Sequence, residues 1–537
     1  MKTVKLFLCS VFILTATNLV AQNNSNECDN GTSIIQAMKD EMDDALPMVR
    51  NKIKSDSIFI DFLLSRNYHI GVCASDGQRA KEVPLEAYGQ CAALVTSYGN
   101  RVLTGQNVWN NRVQSLSYNM GETEIRKSLQ NQVVAAVENL SLRMKEERAH
   151  TDYAQFRSLP PCTSIAPSVF LKRISEKQMG KICTELSKCV QNRLLLKSDT
   201  VGLTLHRTDI YRLTSEGQTM RIPECYYIVE AVVYGKHKDG QMERFTYYKT
   251  YYADDFFSSS KQVKDDFSQY LKLVEESCEA GTIAGDVTYR GPVLFENSAA
   301  WSALFLSDRA QKALYSHRNS RSYPYKMNVC NPQISISQVY DETNRNNLFG
   351  AYRIDANGVQ PKNVMLVKDG VLVNKLGGRI LYDEKATSTG NTRISQMNPK
   401  VEYGVLRASA RSVHSAKDIR QHFLRDAKSK GLQKAYIIRP CQGLRMLFQV
   451  DVNTGKETMI NGWYDVQDYK PSGSDEFSQE EFVMESLFEK PLSSFIFPQM
   501  VYAKDVCLSI KQDVSLISNT KMVAPKAFGD DAPWLKK

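Results

Sequence analysis

At 537 residues, with 42% hydrophobic residues, 26 Tyr and 21 Phe, the chain is long enough for two or three folded domains and too rich in apolar side chains to be disordered. Its formal charge of +9 becomes +7 once Lys2 and Lys5 are set apart, and no basic tract is interleaved with aromatics, so nucleic acid is not an expected partner. Twelve scattered cysteines without a CxxC form neither a zinc knuckle nor a recognisable disulfide framework, and which of them pair is left open.

Lys2 and Lys5 precede an apolar run, 6–20, which ends at Ala21 and Gln22 before the polar stretch NNSNE. This pattern predicts a secretory signal over 1–21, cleaved after Ala21, with an uncleaved anchor as the alternative because Leu19 is larger than the residue usual at that place. No later stretch reaches the roughly 18 apolar residues of a membrane span. The mature protein is therefore expected to be exported, to the periplasm or cell surface of a Gram-negative bacterium.

Ile34, Ile35, Met38, Met42 and Leu46 fall on one helical face, and Pro47 is expected to end that helix. Strands are expected over 57–64 and 92–103, the second interrupted at Gly99 and Asn100. A stripe of Ile125, Leu129, Val133, Val137, Leu140 and Met144 predicts a helix over 124–145 packed on that sheet. The Pro- and Ser-rich stretch around Pro160 and Pro161 marks an expected boundary between an N-terminal α+β subdomain, 22–160, and a middle α+β subdomain, 161–287. The middle one begins with a helical stretch, 169–197. Strands follow at 200–213, 225–234 and 241–252, with turn residues at 215–217 and 238–240, which predicts an antiparallel meander. A helix over 265–279 turns Phe267, Tyr270, Leu271 and Val274 inward.

Residues 288–537 read as a β-rich C-terminal domain, giving an α+β chain overall. Within GPVLFENSAAWSALFLSDRAQ, 291–311, a short apolar strand feeds a helix that starts at Ser298. Asp369 and Gly370 sit between two β-rich arms, a strong hairpin signal. A helix over 415–430 has Ser415 as N-cap, Asp418 three residues on, and Gly431 at its C-terminal end. Strands at 434–439, 445–452 and 457–462 and a closing pair within 495–510 complete the domain.

Several of these stretches together resemble the TldD/PmbA family, bacterial proteins once called modulators of DNA gyrase. RLTSEG at 212–217 resembles the family's NSEG turn, and GPVLF with Ala299, Ala300, Leu304 and Phe305 is similar to its GPV strand and following helix. LFGAYRIDANGV at 348–359 resembles its GxYxxDxEG stretch, with Asn357 in place of the acidic residue. VKDGVL at 367–372 matches its hairpin, and STGNTR at 388–393 its STGxGR loop, with Thr392 where Gly is usual. The likeness follows the element order through nearly the whole mature chain and is most specific over 288–439.

In the family's zinc subunit the helix carries H-E-x-x-x-H, in which two His hold the metal and the Glu polarises the attacking water. The corresponding positions here are Leu306, Ser307 and Gln311. An alkyl group has no donor atom, a serine hydroxyl is too weak a base, and a neutral amide is a poor zinc ligand. The family's third ligand, a Cys, has no secure counterpart: Cys441 lies too early and Cys507 too late in strand order. The resemblance thus implies a non-catalytic subunit without metal or other cofactor, dimerised with a zinc-bearing TldD-like paralogue and handling unfolded peptide.

Two alternatives stay open: an active metallopeptidase with a displaced site drawing on His317, His414, His422 and the cysteines, or an envelope protein that binds peptide or glycan. His414 and His422 read as surface residues of a basic helix. Ser258 with Lys261 matches a serine acylase dyad in form only, and there is no GxSxG, P-loop or GxGxxG. The pairs Asp254 and Asp255, Asp265 and Asp266, and Glu275 and Glu276 read as solvated helix ends.

Overall fold

The computed structural model describes residues 30–511 except 76, 99–101, 106–113, 146–154, 167–175, 192, 239, 241, 253–259, 284, 308, 309, 315–322, 341–347, 349, 384, 396, 442, 443 and 486–492. The expected signal segment, Asp254, Asp255, Ser258 and His317 lie outside the described residues.

The chain is α+β, built on three large sheets. The first comprises β1 (Ile58–Ser75), β2 (Gln78–Ser97), β3 (Leu103–Gly105) and β4 (Gln114–Ser117). Beyond the short β5 (Gln155–Phe156) it adds β6 (Cys162–Ile165), β7 (Leu196–Thr214), β8 (Gln218–Lys236) and β9 (Met242–Tyr252). The strand order is β3-β2-β1-β7-β8-β6, with β4 beside β2 and β9 beside β8. β7 to β9 are the expected meander. β1 pairs with β7 along most of its length, so strands from both sides of residue 160 share one sheet.

Side-chain alternation gives this sheet two distinct faces. Phe62, Leu64, Cys91, Ala93 and Tyr211 pack under the helices Asn30–Ile53 and Glu122–Lys145. Val201, Leu203, Tyr227 and Tyr247 pack with the helices Glu176–Gln191 and Ser260–Glu279. The stripe expected over 124–145 is buried from Ile125 to Leu140. On the opposite face, Leu63 and Ile210 meet Ala356, Ile394 and Met397 from the C-terminal half.

The second sheet contains β10 (Gly281–Thr282), β11 (Val287–Glu296), β19 (Lys434–Ile438), β20 (Leu447–Asp451), β21 (Glu457–Asn461), β22 (Trp463–Asp468), β23 (Glu476–Phe477) and β26 (Met500–Lys511). The third contains β12 (Ile334–Val339), β13 (Val364–Lys368), β14 (Val371–Leu372), β18 (Val405–Ala410), β24 (Glu481–Glu485) and β25 (Ser494–Pro498). β11 is central, parallel to β19 and antiparallel to β26, because its residues 291–296 are buried throughout. Two small pairs complete the set: β15 (Ile380–Leu381) with β5, and β16 (Thr392–Ser395) with β17 (Asn398–Val401).

The local signals of the C-terminal half act as expected. Asp369 and Gly370 take φ of 49° and 81°, the two positive values a type I′ hairpin requires. The helix Ala416–Ser429 has Ser415 as N-cap, accepting from the Asp418 amide at 3.1 Å, and Gly431 follows at φ 71°.

Four expectations change. The first helix runs through Pro47 to Ile53, because Val49 and Ile53 extend its buried face while Pro47 itself is exposed. β1 and β2 are far longer than read, since the outer half of β1 carries Arg66 on the first face and Asn67 and His69 on the second, which obscures the apolar alternation. β25 and β26 enter different sheets, diverging after Pro498. The helix beginning at Ser298 ends at Ala303. None of the described helices is long and apolar enough to cross a membrane.

Candidate functional site

The segment that holds Leu306, Ser307 and Gln311 leaves β11 through Asn297, whose φ of 54° is rare for a residue other than glycine. The helix Ser298–Ala303 then lasts six residues, and Leu304 and Phe305 close it with bonds to Trp301 and Ser302, three residues back. Beyond it the backbone pairs elsewhere: Leu306 donates to the Val329 carbonyl at 3.0 Å, and Asn331 donates to Leu304 at 2.8 Å. A separate 3₁₀ turn, Ala310–Leu314, carries Gln311. Trp301 fixes the arrangement, its ring 5.1 Å from Phe305, 5.1 Å from Phe495 and 5.3 Å from Phe497. Leu306, 40% exposed, and Ser307 therefore stand past the helix end, and Gln311 belongs to another turn.

Three other motif stretches converge on a second place. A cavity of about 490 Å³ opens between the second face of the first sheet and the loops around β15 to β17. Its base is Arg212, 2% exposed, which donates to both oxygens of Asp61, at 2.8 and 2.5 Å, and to Asn357 Oδ1 at 2.8 Å. The Ala356 carbonyl takes a further bond from the same guanidinium. Asp355 locks the loop: it accepts from the amides of Asn357, Val359 and Thr392 at 2.8, 2.8 and 2.9 Å. Burial pushes its carboxyl above the usual range, and those three bonds oppose the rise. Gly390, φ 74°, must be glycine, because a Cβ there would lie 2.6 Å from the Gln360 carbonyl.

Arg379 forms one wall. Its guanidinium lies over Phe59 at 4.4 Å and near Phe156 at 5.5 Å, pairs with Glu216 and donates to Gln218 Oε1 at 3.0 Å. Glu216 belongs to the turn at 215–217, so that motif serves to hold a buried arginine. Burial lowers the Arg379 pKa, and Glu216 works against that shift. Lys400 and Glu402 also line the cavity, and burial raises the Glu402 carboxyl.

The remaining sequence candidates fall as follows. His414 and His422 do meet, rings 5.7 Å apart, and Glu476 takes His422 Nδ1 at 2.6 Å, so they are partly buried neighbours rather than plain surface residues. Cys441 is partly buried in a bridge with Leu444, and Cys507 is buried in β26. Asp266 and Glu275 are not simply solvated: Lys249 reaches Asp266 at 2.6 Å, and Arg193 pairs with Glu275. Among the described residues no group of three or more His, Cys, Asp or Glu is placed to hold a metal.

No protein-family sequence model matches the chain, and no curated protein matches it at a significant level. Solved structures do. A candidate modulator of a DNA gyrase from Thermotoga maritima superposes with a TM-score of 0.54 at 11% identity, over 88% of this chain and 100% of that one. TldE from Thermococcus kodakarensis gives 0.56 at 11%, over 87% and 99%. A second candidate gyrase modulator, from Bacteroides thetaiotaomicron, gives 0.51 at 12%, over 88% and 98%. The chain has the TldD/PmbA fold.

Zinc, which the resemblance attaches to part of that family, does not fit the motif positions of this version of the fold. Leu306 offers no donor atom, Leu306 and Ser307 share no helix with Gln311, and the aromatic packing of Trp301 holds the segment in that broken form. Other residues of the resembling stretches are held in buried ion pairs. Glu296, at the end of the GPV strand, is buried between Arg420 and Arg439. Sequence reasoning missed Asp61, Arg379, Lys400 and Glu402. Only Asp61 left a trace, a carboxylate inside the apolar run SIFIDFLL.

Proposed function

We propose that the chain is an exported, non-catalytic subunit of TldD/PmbA type, which binds unfolded peptide beside a zinc-bearing relative that supplies the hydrolytic chemistry. The observation that carries this is the helix end at Ala303, with Leu306 and Ser307 beyond it. A hydrolase of this type needs imidazoles and a carboxylate on one rigid helical face. The second face of the first sheet, with its cavity at the C-terminal loops, is what remains to contact a peptide.

Affinity purification of the tagged chain from its native host, with mass spectrometry of the eluate, tests the pairing. The expected result is co-elution of an exported homologue with an intact H-E-x-x-x-H, and a mature N-terminus at Gln22. Recovery only as a monomer or homodimer counts against it. A second reading, an active peptidase with a displaced metal site, starts from the neighbouring pair His414 and His422 and requires a further ligand from elsewhere. Stoichiometric zinc in the purified chain, with chelator-sensitive peptidase activity, would establish that reading in place of the first.

A further inference from the structure

Away from the cavity, His414 and His422 bring two imidazoles together. Their rings lie 5.7 Å apart and are inclined at 67°. An imidazole bound through nitrogen at about 2.0–2.1 Å holds its ring centre about 3.2 Å from a metal, so two on one tetrahedral ion stand roughly 5–6 Å apart. The spacing is that of two ligands on one cation. Glu476 adds the feature that usually accompanies such a ligand. A carboxylate only accepts, so His422 Nδ1, 2.6 Å from Glu476, donates to it and leaves the Nε2 lone pair of the neutral ring for a metal. Among the described residues, no hydrogen bond is made by that Nε2 or by either ring nitrogen of His414.

Both rings are partly exposed, His422 at 31%, so an ion reaches them from solvent. Both also stand on fixed backbone. His414 donates its amide to Phe477 and accepts from Gln479, each at 2.9 Å, and His422 lies in the second turn of the helix Ala416–Ser429. Charge does not oppose a dication there. Glu476 is answered by Lys504 at 3.7 Å and Asp426 by Lys430 at 3.4 Å, while Asp418 and Glu480, at the helix N-terminus, offset the exposed Lys417 and Arg425.

We propose that His414 and His422 form a two-imidazole site for a divalent cation of the zinc class, with Glu476 as the positioning residue that fixes the His422 ring. Imidazole nitrogen selects such borderline ions over magnesium or calcium. Two protein ligands leave the remaining positions to water, so the ion exchanges, is lost on dialysis, and is read by titration rather than by the metal content of the purified chain. Glu476 is turned to His422, Glu480 to the Ala416 amide and Asp418 to Ser415, so none of these three carboxylates is free to activate a water. The bound ion ties the residues before the helix to its second turn, and the inference is independent of the subunit reading.

Calorimetric titration of the chelator-treated full-length chain with zinc chloride tests it. The expected result is a site that magnesium chloride does not fill, weakened at least tenfold by His414→Ala and by His422→Ala, and by about tenfold by Glu476→Gln. Zinc should raise the melting temperature of the wild-type chain and leave that of His422→Ala unchanged. Cobalt chloride should give the absorption of a nitrogen-bound ion, without a thiolate charge-transfer band. If His414→Ala does not fold, His422→Ala decides alone. Zinc affinity unchanged in His422→Ala, or a thiolate band with cobalt, overturns the site, and wild-type affinity in Glu476→Gln overturns the role given to that carboxylate. Peptidase activity that needs zinc and disappears in His422→Ala would leave the site standing and overturn the non-catalytic reading instead.

Discussion

Arg212→Met is the substitution on which the account of the cavity base depends most. Methionine fills similar volume but removes every bond from the guanidinium to Asp61, Asn357 and Ala356. Asp61, 2% exposed, would be left as a carboxylate without its counter-charge, a situation that costs about 3–5 kcal/mol. That is a large share of the roughly 5–15 kcal/mol of a typical fold. Changing Asp61→Asn as well removes the stranded charge, so the double variant should recover most of the loss, with a coupling of about 2–3 kcal/mol. Urea denaturation of the four proteins of this cycle, followed by circular dichroism, measures it. A single-variant loss under about 1 kcal/mol, or strictly additive losses, would refute the view that the pair acts as one buried unit.

Trp301→Ala should cost about 3–5 kcal/mol in the same assay, since it empties the centre of the Phe305, Phe495 and Phe497 cluster. Burial raises Glu485 from its ordinary 4.5 to about 7, with Lys249 opposing. The folded state thus holds this proton more tightly than the unfolded one, and stability should fall by on the order of 2–3 kcal/mol as pH rises from about 4.5 through 7. Glu485→Gln should flatten that slope, and an unchanged profile would show that another group sets it. Restoring the motif letters with Leu306→His, Ser307→Glu and Gln311→His should not yield one bound zinc per chain by metal analysis, because the helix stops at Ala303; stoichiometric zinc would show that identity, not geometry, was the obstacle.

Much of the fold was legible because its signals are local. The stripe from Ile125 to Leu140, the Asp369 and Gly370 turn, and the Ser415 cap each specify structure within a few residues, and each forms as the residues suggest. The helix break was not, because what ends that helix is long-range: Phe495 and Phe497 against Trp301, and Val329 accepting from Leu306. The cavity was hidden likewise. Arg379 meets Glu216 and Phe59 across more than 160 residues of sequence, and neither periodicity nor spacing reports such a contact.

The two departures from the family pattern, Asn357 and Thr392, explain one another once the contacts are traced. Asn357 Nδ2 donates to Thr392 Oγ1 at 2.6 Å while its Oδ1 accepts from Arg212. An acidic residue at 357 would bring a second carboxylate to Arg212 beside Asp61, and would have no N–H to give the hydroxyl. With the neutral amide, Arg212 hydrogen-bonds a single carboxylate, Asp61, and the threonine supplies the acceptor that the amide needs. Asn357 and Thr392 therefore act as one hydrogen-bonded unit across two loops. That unit gives Arg212 a neutral acceptor in Asn357 Oδ1 beside the carboxylate of Asp61.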